Sequence, residues 1–120
     1  MKASEQLYHE IGDDMIEQII TEFYQRAFND VIIGHFFWGK NHDDLVEKQI
    51  SFTKAMLGKD SSRYTGKPIK AVHAGLKIRK AHFDRRKVLL SETMDDMQLA
   101  KGHKIAWLTL EEKLRKLIQS

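Results

Sequence analysis

No cysteine occurs in these 120 residues. Disulfides, thiolate zinc sites, iron–sulfur clusters, cysteine nucleophiles and thioether-linked cofactors are thereby excluded, and a reducing compartment fits. Proline occurs once, at Pro68, and there is no Asn-Gly or Asp-Gly dipeptide, so hairpin signals are missing. No apolar run approaches ~18 residues, and the opening stretch MKASEQLYHEIGDD has no apolar centre. Neither a membrane span nor a secretory leader is therefore expected. These absences leave an all-α chain, expected to form one domain over residues 1–120 and to be cytoplasmic.

What is present fits a globular protein: 42% hydrophobic and 31% charged residues, with a net charge of only +3. The basic residues concentrate in one stretch. Lys67, Lys70, Lys77, Arg79, Lys80, Arg85, Arg86 and Lys87 face Asp84 alone. Such a run is ordinarily a solvated face, though it would also suit an anionic ligand or nucleic acid.

The apolar spacing predicts a short amphipathic segment over 3–10 and a break at Gly12, followed by an Asp N-cap. A long helix follows from about Asp14 to Asn29, with Ile16, Ile19, Ile20, Phe23 and Ala27 on one face. Residues 31–39, VIIGHFFWG, read as an apolar corner, either a plug between helices or a wall for a flat ligand. Asn41 or Asp43 caps a helix to about Leu57, with Leu45, Phe52 and Met56 as its stripe. GKDSSR is a loop, a short helix starts near Pro68, another runs from about Ala81 to Asp95, and the last runs from His103 to Ile118. On this last helix Ile105, Trp107, Leu108 and Leu110 are apolar and Glu111 lies opposite.

Polar residues inside these stripes are the candidates for chemistry. Tyr24 follows Ile20 by one turn, so its hydroxyl is carried inward and needs a partner. Gln49 fills the i+4 place between Leu45 and Phe52, where an unsatisfied amide costs about 1–3 kcal/mol. Two inward polar tips suit a polar ligand held between two helices; a Tyr–Gln hydrogen bond accounts for them equally. His73 lies beside Ile69 and Val72, with Lys70 and Lys77 near. An imidazole in an apolar setting with cations at its rim is what an iron porphyrin requires. A hydrogen-bonded core histidine is the alternative.

Taken in order, LYHEIG, EFYQRAF, HFFWG, DDLVEKQISFTKAMLG, RYTGKPIKAVHAGLKI and the His82–Phe83 pair resemble the truncated haemoglobins, most closely their first group. The likeness runs from about Leu7 to Ile118. It implies a two-on-two α-helical sandwich around a non-covalent haem b, with His73 as the iron ligand. It implies that Tyr24 donates a hydrogen bond to iron-bound dioxygen and that Gln49 joins the same network. Leu45 stands where many globins carry a distal histidine or glutamine. Phe37 matches the residue packed on the porphyrin, and Thr53 a pocket-lining position. Lys48 takes a place from which some relatives close the sixth site. Tyr64, Lys70 and Lys77 match propionate contacts.

Dioxygen, nitric oxide and carbon monoxide are the implied ligands. Nitric oxide dioxygenation with an external reductase, or oxygen or redox sensing, is the implied activity, with weak peroxidase chemistry besides. A monomer or weak oligomer without nucleic-acid or membrane partners is expected. The alternatives are a six-coordinate electron-transfer protein and, in another class, a haem-free basic helical module. His82 is expected to be structural, and His9, His35, His42 and His103 to lie at the surface. Arg85 and Arg86 depart from the family pattern, since relatives often carry apolar or aromatic residues there. A rotated helix, or an arginine snorkelling along the rim, is expected.

Overall fold

One helix serves as the spine on which the others lean. In the computed structural model, residues 3–58 and 78–118 are described, with side-chain environments over 7–58 and 78–113. Tyr64, Lys70, His73 and Lys77, and the short helix expected near Pro68, lie outside them. The spine is α2, Asp13–Phe28, whose Ile16, Ile19, Ile20, Phe23, Tyr24 and Ala27 are buried along one face. Around it stand α1 (Ala3–Ile11), a 3-10 turn (Gly34–Phe37), α3 (His42–Leu57), α4 (Lys80–Asp96) and α5 (Lys101–Ile118). Among the described residues all regular structure is helical, as expected. None of these helices is long and apolar enough to cross a membrane.

The most extensive packing is α2 against α3 and α2 against α4. The junction of α1 and α2 departs from expectation. Gly12, at φ +87°, is the N-cap and supplies no side-chain bond. Asp13 and Asp14 are instead the first helical residues, where they favour the positive end of the helix dipole. Lys54 of α3 ties this end down, reaching Asp13 at 3.0 Å and Glu17 at 2.7 Å. The cap of α3 is Asn41, whose side-chain oxygen accepts from the Asp44 N–H at 2.9 Å.

The corner between α2 and α3 is built on Asp30. One carboxylate oxygen accepts from the backbone N–H groups of Ile32 and Ile33, at 3.0 and 3.1 Å. The other receives Arg85 Nε and Nη2, at 3.0 and 2.7 Å, so the corner is fastened to α4. Gly34 passes so close to α2 that a Cβ would lie 2.9 Å from the Phe28 carbonyl oxygen. The expected aromatic plug is only two-thirds realised. Phe36 and Phe37 pack on the core, while Trp38 is 81% exposed.

Two further expectations shift. The buried stripe of α3 is Val46, Thr53, Met56 and Leu57, and Leu45, Gln49 and Phe52 are half-buried beside it. On α5, Ile105 is 56% exposed and Glu111 is buried. The reason is that Trp107 and Glu111, one turn apart, share the face turned to α4, so the helix is rotated from the reading by apolar count alone. Gly102 lies inside α5.

Candidate functional site

Tyr24 is brought to the interior by the register of α2, one turn after Ile20, and is buried. Its ring meets Phe23 edge-on at 4.8 Å and Phe37 edge-on at 5.9 Å. Phe37 is stacked on Phe28 at 4.7 Å with the planes 12° apart, and Phe28 meets the edge of His42 at 4.8 Å. The 3-10 turn fixed by Asp30 thus places an aromatic wall against the α2 tyrosine. On α3, Leu45, Gln49 and Phe52 form a second, half-covered stripe, with Thr53 buried next to it. Gln49 makes no hydrogen bond among the described residues. Lys48 is exposed.

The hydroxyl of Tyr24 does not meet Gln49. The charges of Arg86 and Glu111 lie near enough to act on it. Burial pushes the Tyr24 phenol above its ordinary 10.0, although Arg86 pulls the other way. Tyr24 is therefore a neutral O–H donor across the physiological range.

Arg86 does not snorkel. Its side chain is 21% exposed and lies with the guanidinium carbon 5.2 Å from the centre of the Phe23 ring and 5.8 Å from that of Phe83. Nη1 is 2.5 Å from Glu111 Oε2. The other Glu111 oxygen accepts from Trp107 Nε1 at 3.2 Å. Burial alone would make Arg86 easier to deprotonate; Glu111 and Tyr24 more than offset that and hold it cationic. The expectation of a rotated helix or a rim arginine fails because Arg86 sits three residues after buried Phe83 and four before buried Leu90, on the inward stripe of α4. That spacing was readable, as was the i, i+4 pair of Trp107 and Glu111, two residues passed over as candidates.

The histidines sort differently from one another. His9 and His35 are exposed, as expected. His82 is structural: its Nδ1 accepts from the Arg79 N–H at 3.1 Å, and its ring lies 4.9 Å from Phe36. His103 is half-buried and paired with Glu10 at 3.0 Å. His42 is not a plain surface residue, because its Nε2 is buried with no partner. Among the described residues no group of three or more His, Cys, Asp or Glu could hold a metal ion. His73, the expected iron ligand, lies outside them.

The arrangement offers apolar and aromatic walls from Phe37, Leu45 and Phe52, and a protonated phenol from Tyr24. That combination fits a flat apolar ligand carrying a small polar group. Comparison with known proteins points the same way. The family model described as bacterial-like globin matches residues 6–120. The chain is similar to the group 1 truncated hemoglobin GlbN of Mycolicibacterium paratuberculosis, 39% identical over 72 residues, which cover 60% of this chain and 52% of that protein. It therefore spans about half the length of that relative. It is 33% identical over 92 residues to the GlbN of a Nostoc species, covering 73% of this chain and 75% of the relative. In fold it matches the truncated hemoglobin of Tetrahymena pyriformis, in its Fe(III) form, with a TM-score of 0.84 across 99% of each chain at 21% identity.

Proposed function

The chain belongs to the bacterial-like globin family, and from there we propose that it holds haem b non-covalently through His73 and takes dioxygen on the opposite side, beside Tyr24 and Gln49. Haem-based binding of diatomic gases is what the family as a whole supports. The two-on-two globin fold is shared with the Tetrahymena protein.

One observation carries the finer reading: a neutral, buried tyrosine hydroxyl set against Phe37, at the edge of a half-covered stripe of Leu45, Gln49 and Phe52. A porphyrin would cover that stripe. Phe37 would pack on its face, and Thr53 would line the pocket. Tyr64, Lys70 and Lys77 supply candidate contacts to its rim, and Lys48 a candidate side chain for the sixth site. When bound, the haem iron supplies electron density to a gas ligand, leaving partial negative charge on the ligand's far end. The Tyr24 O–H would donate to that charge, and the Gln49 amide would be the second donor. Carbon monoxide, being less polarised, gains less from both.

Leu45 provides no base, which disfavours peroxidase chemistry, because peroxide cleavage needs a proton acceptor. Nitric oxide dioxygenation asks only that a bound oxygen be held and polarised, and it suits these donors better. Steady turnover would draw electrons from a separate reductase.

The test is absorption spectroscopy of the ferric and dithionite-reduced protein with two variants. Wild type is expected to show stoichiometric haem and His73→Ala to lose it or its axial ligation. Tyr24→Phe is expected to raise the dioxygen dissociation rate ~10-fold or more, since a hydrogen bond to a charged partner contributes ~1.5–3 kcal/mol. Wild-type protein that takes up no haem refutes the reading. The reduced bands also report whether Lys48 or another side chain closes the sixth site.

A further inference from the structure

Among the described residues five large hydrophobic side chains are exposed, and three of them, Val31, Ile32 and Trp38, fall within eight positions. Val31 is 93% exposed and Trp38 81%. Single exposed apolar residues are ordinary, but a cluster on one turn marks a contact surface. The turn is not loose. Asp30 fastens it to Arg85 at 2.7 Å, so the apolar tip stands on a fixed corner. Its surround is cationic. Lys40 is exposed two residues after Trp38. His82 lies 4.9 Å from Phe36 and 5.7 Å from His35, which brings the first turn of α4, with exposed Arg79 and Lys80, to the same corner. That turn contains no acidic residue, and cations at the positive end of a helix dipole weaken their own helix.

A surface of opposite sign begins four residues after Trp38, at His42. Here a hollow of about 340 Å³ lies between α2 and α3. Val46 and Ile50 give it an apolar wall, and Glu17, Asp43 and Glu47 give it charge. Lys54 also lines it but is spent on Asp13 and Glu17, at 3.0 and 2.7 Å. Lys40 and Glu47 form no ion pair among the described residues. The same division runs through the sequence. Residues 1–58 carry ten Asp and Glu against five Lys and Arg, while residues 59–120 carry seven against fifteen. Tip and hollow therefore match twice over, apolar against apolar and cation against carboxylate.

We propose that this face docks on a second copy of the chain: Trp38, with Lys40 and the first turn of α4 beside it, seats in the α2–α3 hollow of the other molecule, and the contact is returned. Tip and hollow are neighbours on one surface, so a two-fold pairing makes both contacts at once. An apolar centre with a charged rim is the usual anatomy of a protein interface, and tryptophan is a preferred anchor. The patch is small, so the dimer is weak. Trp38 adjoins Phe37, which meets Tyr24 edge-on at 5.9 Å, so docking also braces the aromatic wall of the candidate site. The proposal does not depend on the haem reading.

Sedimentation velocity of the full chain tests it, over ~0.02–1 mM protein in ~20 mM and ~500 mM NaCl. Expected is a dimer with Kd of about 100 µM at low salt, ~10-fold weaker at high salt. Trp38→Ser should lose ~10-fold or more. Lys40→Glu and Glu47→Lys should each lose ~5-fold at low salt. The double variant Lys40→Glu/Glu47→Lys keeps the wild-type net charge and reverses both sides of the contact, so association should return. All three substituted side chains are exposed, so the fold is retained, and helical circular dichroism checks it. A wild type that is monomeric at ~1 mM in low salt overturns the proposal. So does a dimer indifferent to Trp38→Ser or to both charge reversals, or a double variant no better than the single ones. A monomer that instead sediments with phosphatidylglycerol vesicles assigns the tip to a lipid surface and overturns it too.

Discussion

Replacing Asp30 tests how the aromatic wall of the site is held. The side chain is 4% exposed and makes four hydrogen bonds, two to backbone and two to Arg85. Asp30→Ala removes all four. The Ile32 N–H lies at the surface and finds water, so its loss matters little; the partly buried Ile33 N–H loses about 1 kcal/mol. The two bonds to Arg85 are charge-assisted, but Arg85 is a third exposed and recovers hydration, so their joint loss is roughly 1–2 kcal/mol. The sum is about 2–3 kcal/mol. Asp30→Asn retains one acceptor for the turn and turns an amide donor toward a donor-only guanidinium, which places it between the other two.

Urea unfolding at neutral pH should therefore rank wild type above Asp30→Asn above Asp30→Ala, with unchanged slopes. The pH dependence has a definite sign. The Arg85 guanidinium, helped by the two backbone N–H groups and opposed by burial, holds the Asp30 carboxyl below its ordinary 3.8. The unfolded chain thus takes up the proton first as pH falls. The stabilisation is fully present above about pH 4 and is lost as pH drops through the folded value. The gap between wild type and Asp30→Ala should narrow from pH 5 to pH 3. Variants within about 0.5 kcal/mol of wild type at pH 7, or a gap that widens in acid, would show that the corner is held by something else.

Two further outcomes follow from geometry. Gly34→Ala should destabilise by about 1–3 kcal/mol, because its Cβ would meet a backbone oxygen at 2.9 Å and not a movable side chain; thermal unfolding measures it. His42→Leu should be neutral or raise stability by up to about 1 kcal/mol, because it removes a buried nitrogen that has no partner. A loss above that size in urea unfolding would mean that the exposed contact of His42 Nδ1 with Asp43, at 3.2 Å, holds the ring more strongly than a surface pair ordinarily does.

The helices were legible because their apolar residues recur every three or four positions, and all five described helices begin and end within two residues of expectation. The face of each helix was less legible. On α3 the apolar count favoured Leu45, Phe52 and Met56, but two stripes exist there, and the one through Val46 and Leu57 wins because α2 and α1 cover it. On α5 the count put Glu111 outside, whereas the charge it answers belongs to another helix 25 residues away. Pairing across such separations leaves no periodic trace in a single sequence. The aromatic wall was legible as a cluster, since VIIGHFFWG announces itself, but its anchor was not. Asp30 reads as a polar residue ending a helix, and its tie to Arg85 appears only once α2 and α4 are packed.

The two tryptophans end up in opposite surroundings. Trp38 stands in water, open to collisional quenchers and free to relax its excited state, so its emission is red-shifted. Trp107 is sealed away, with its indole N–H on a carboxylate, and its emission is blue-shifted and out of a quencher's reach. In the haem-free chain the fluorescence is therefore two separable signals. One colour watches the surface corner beside Phe36 and Phe37, and the other watches the ion pair behind Tyr24.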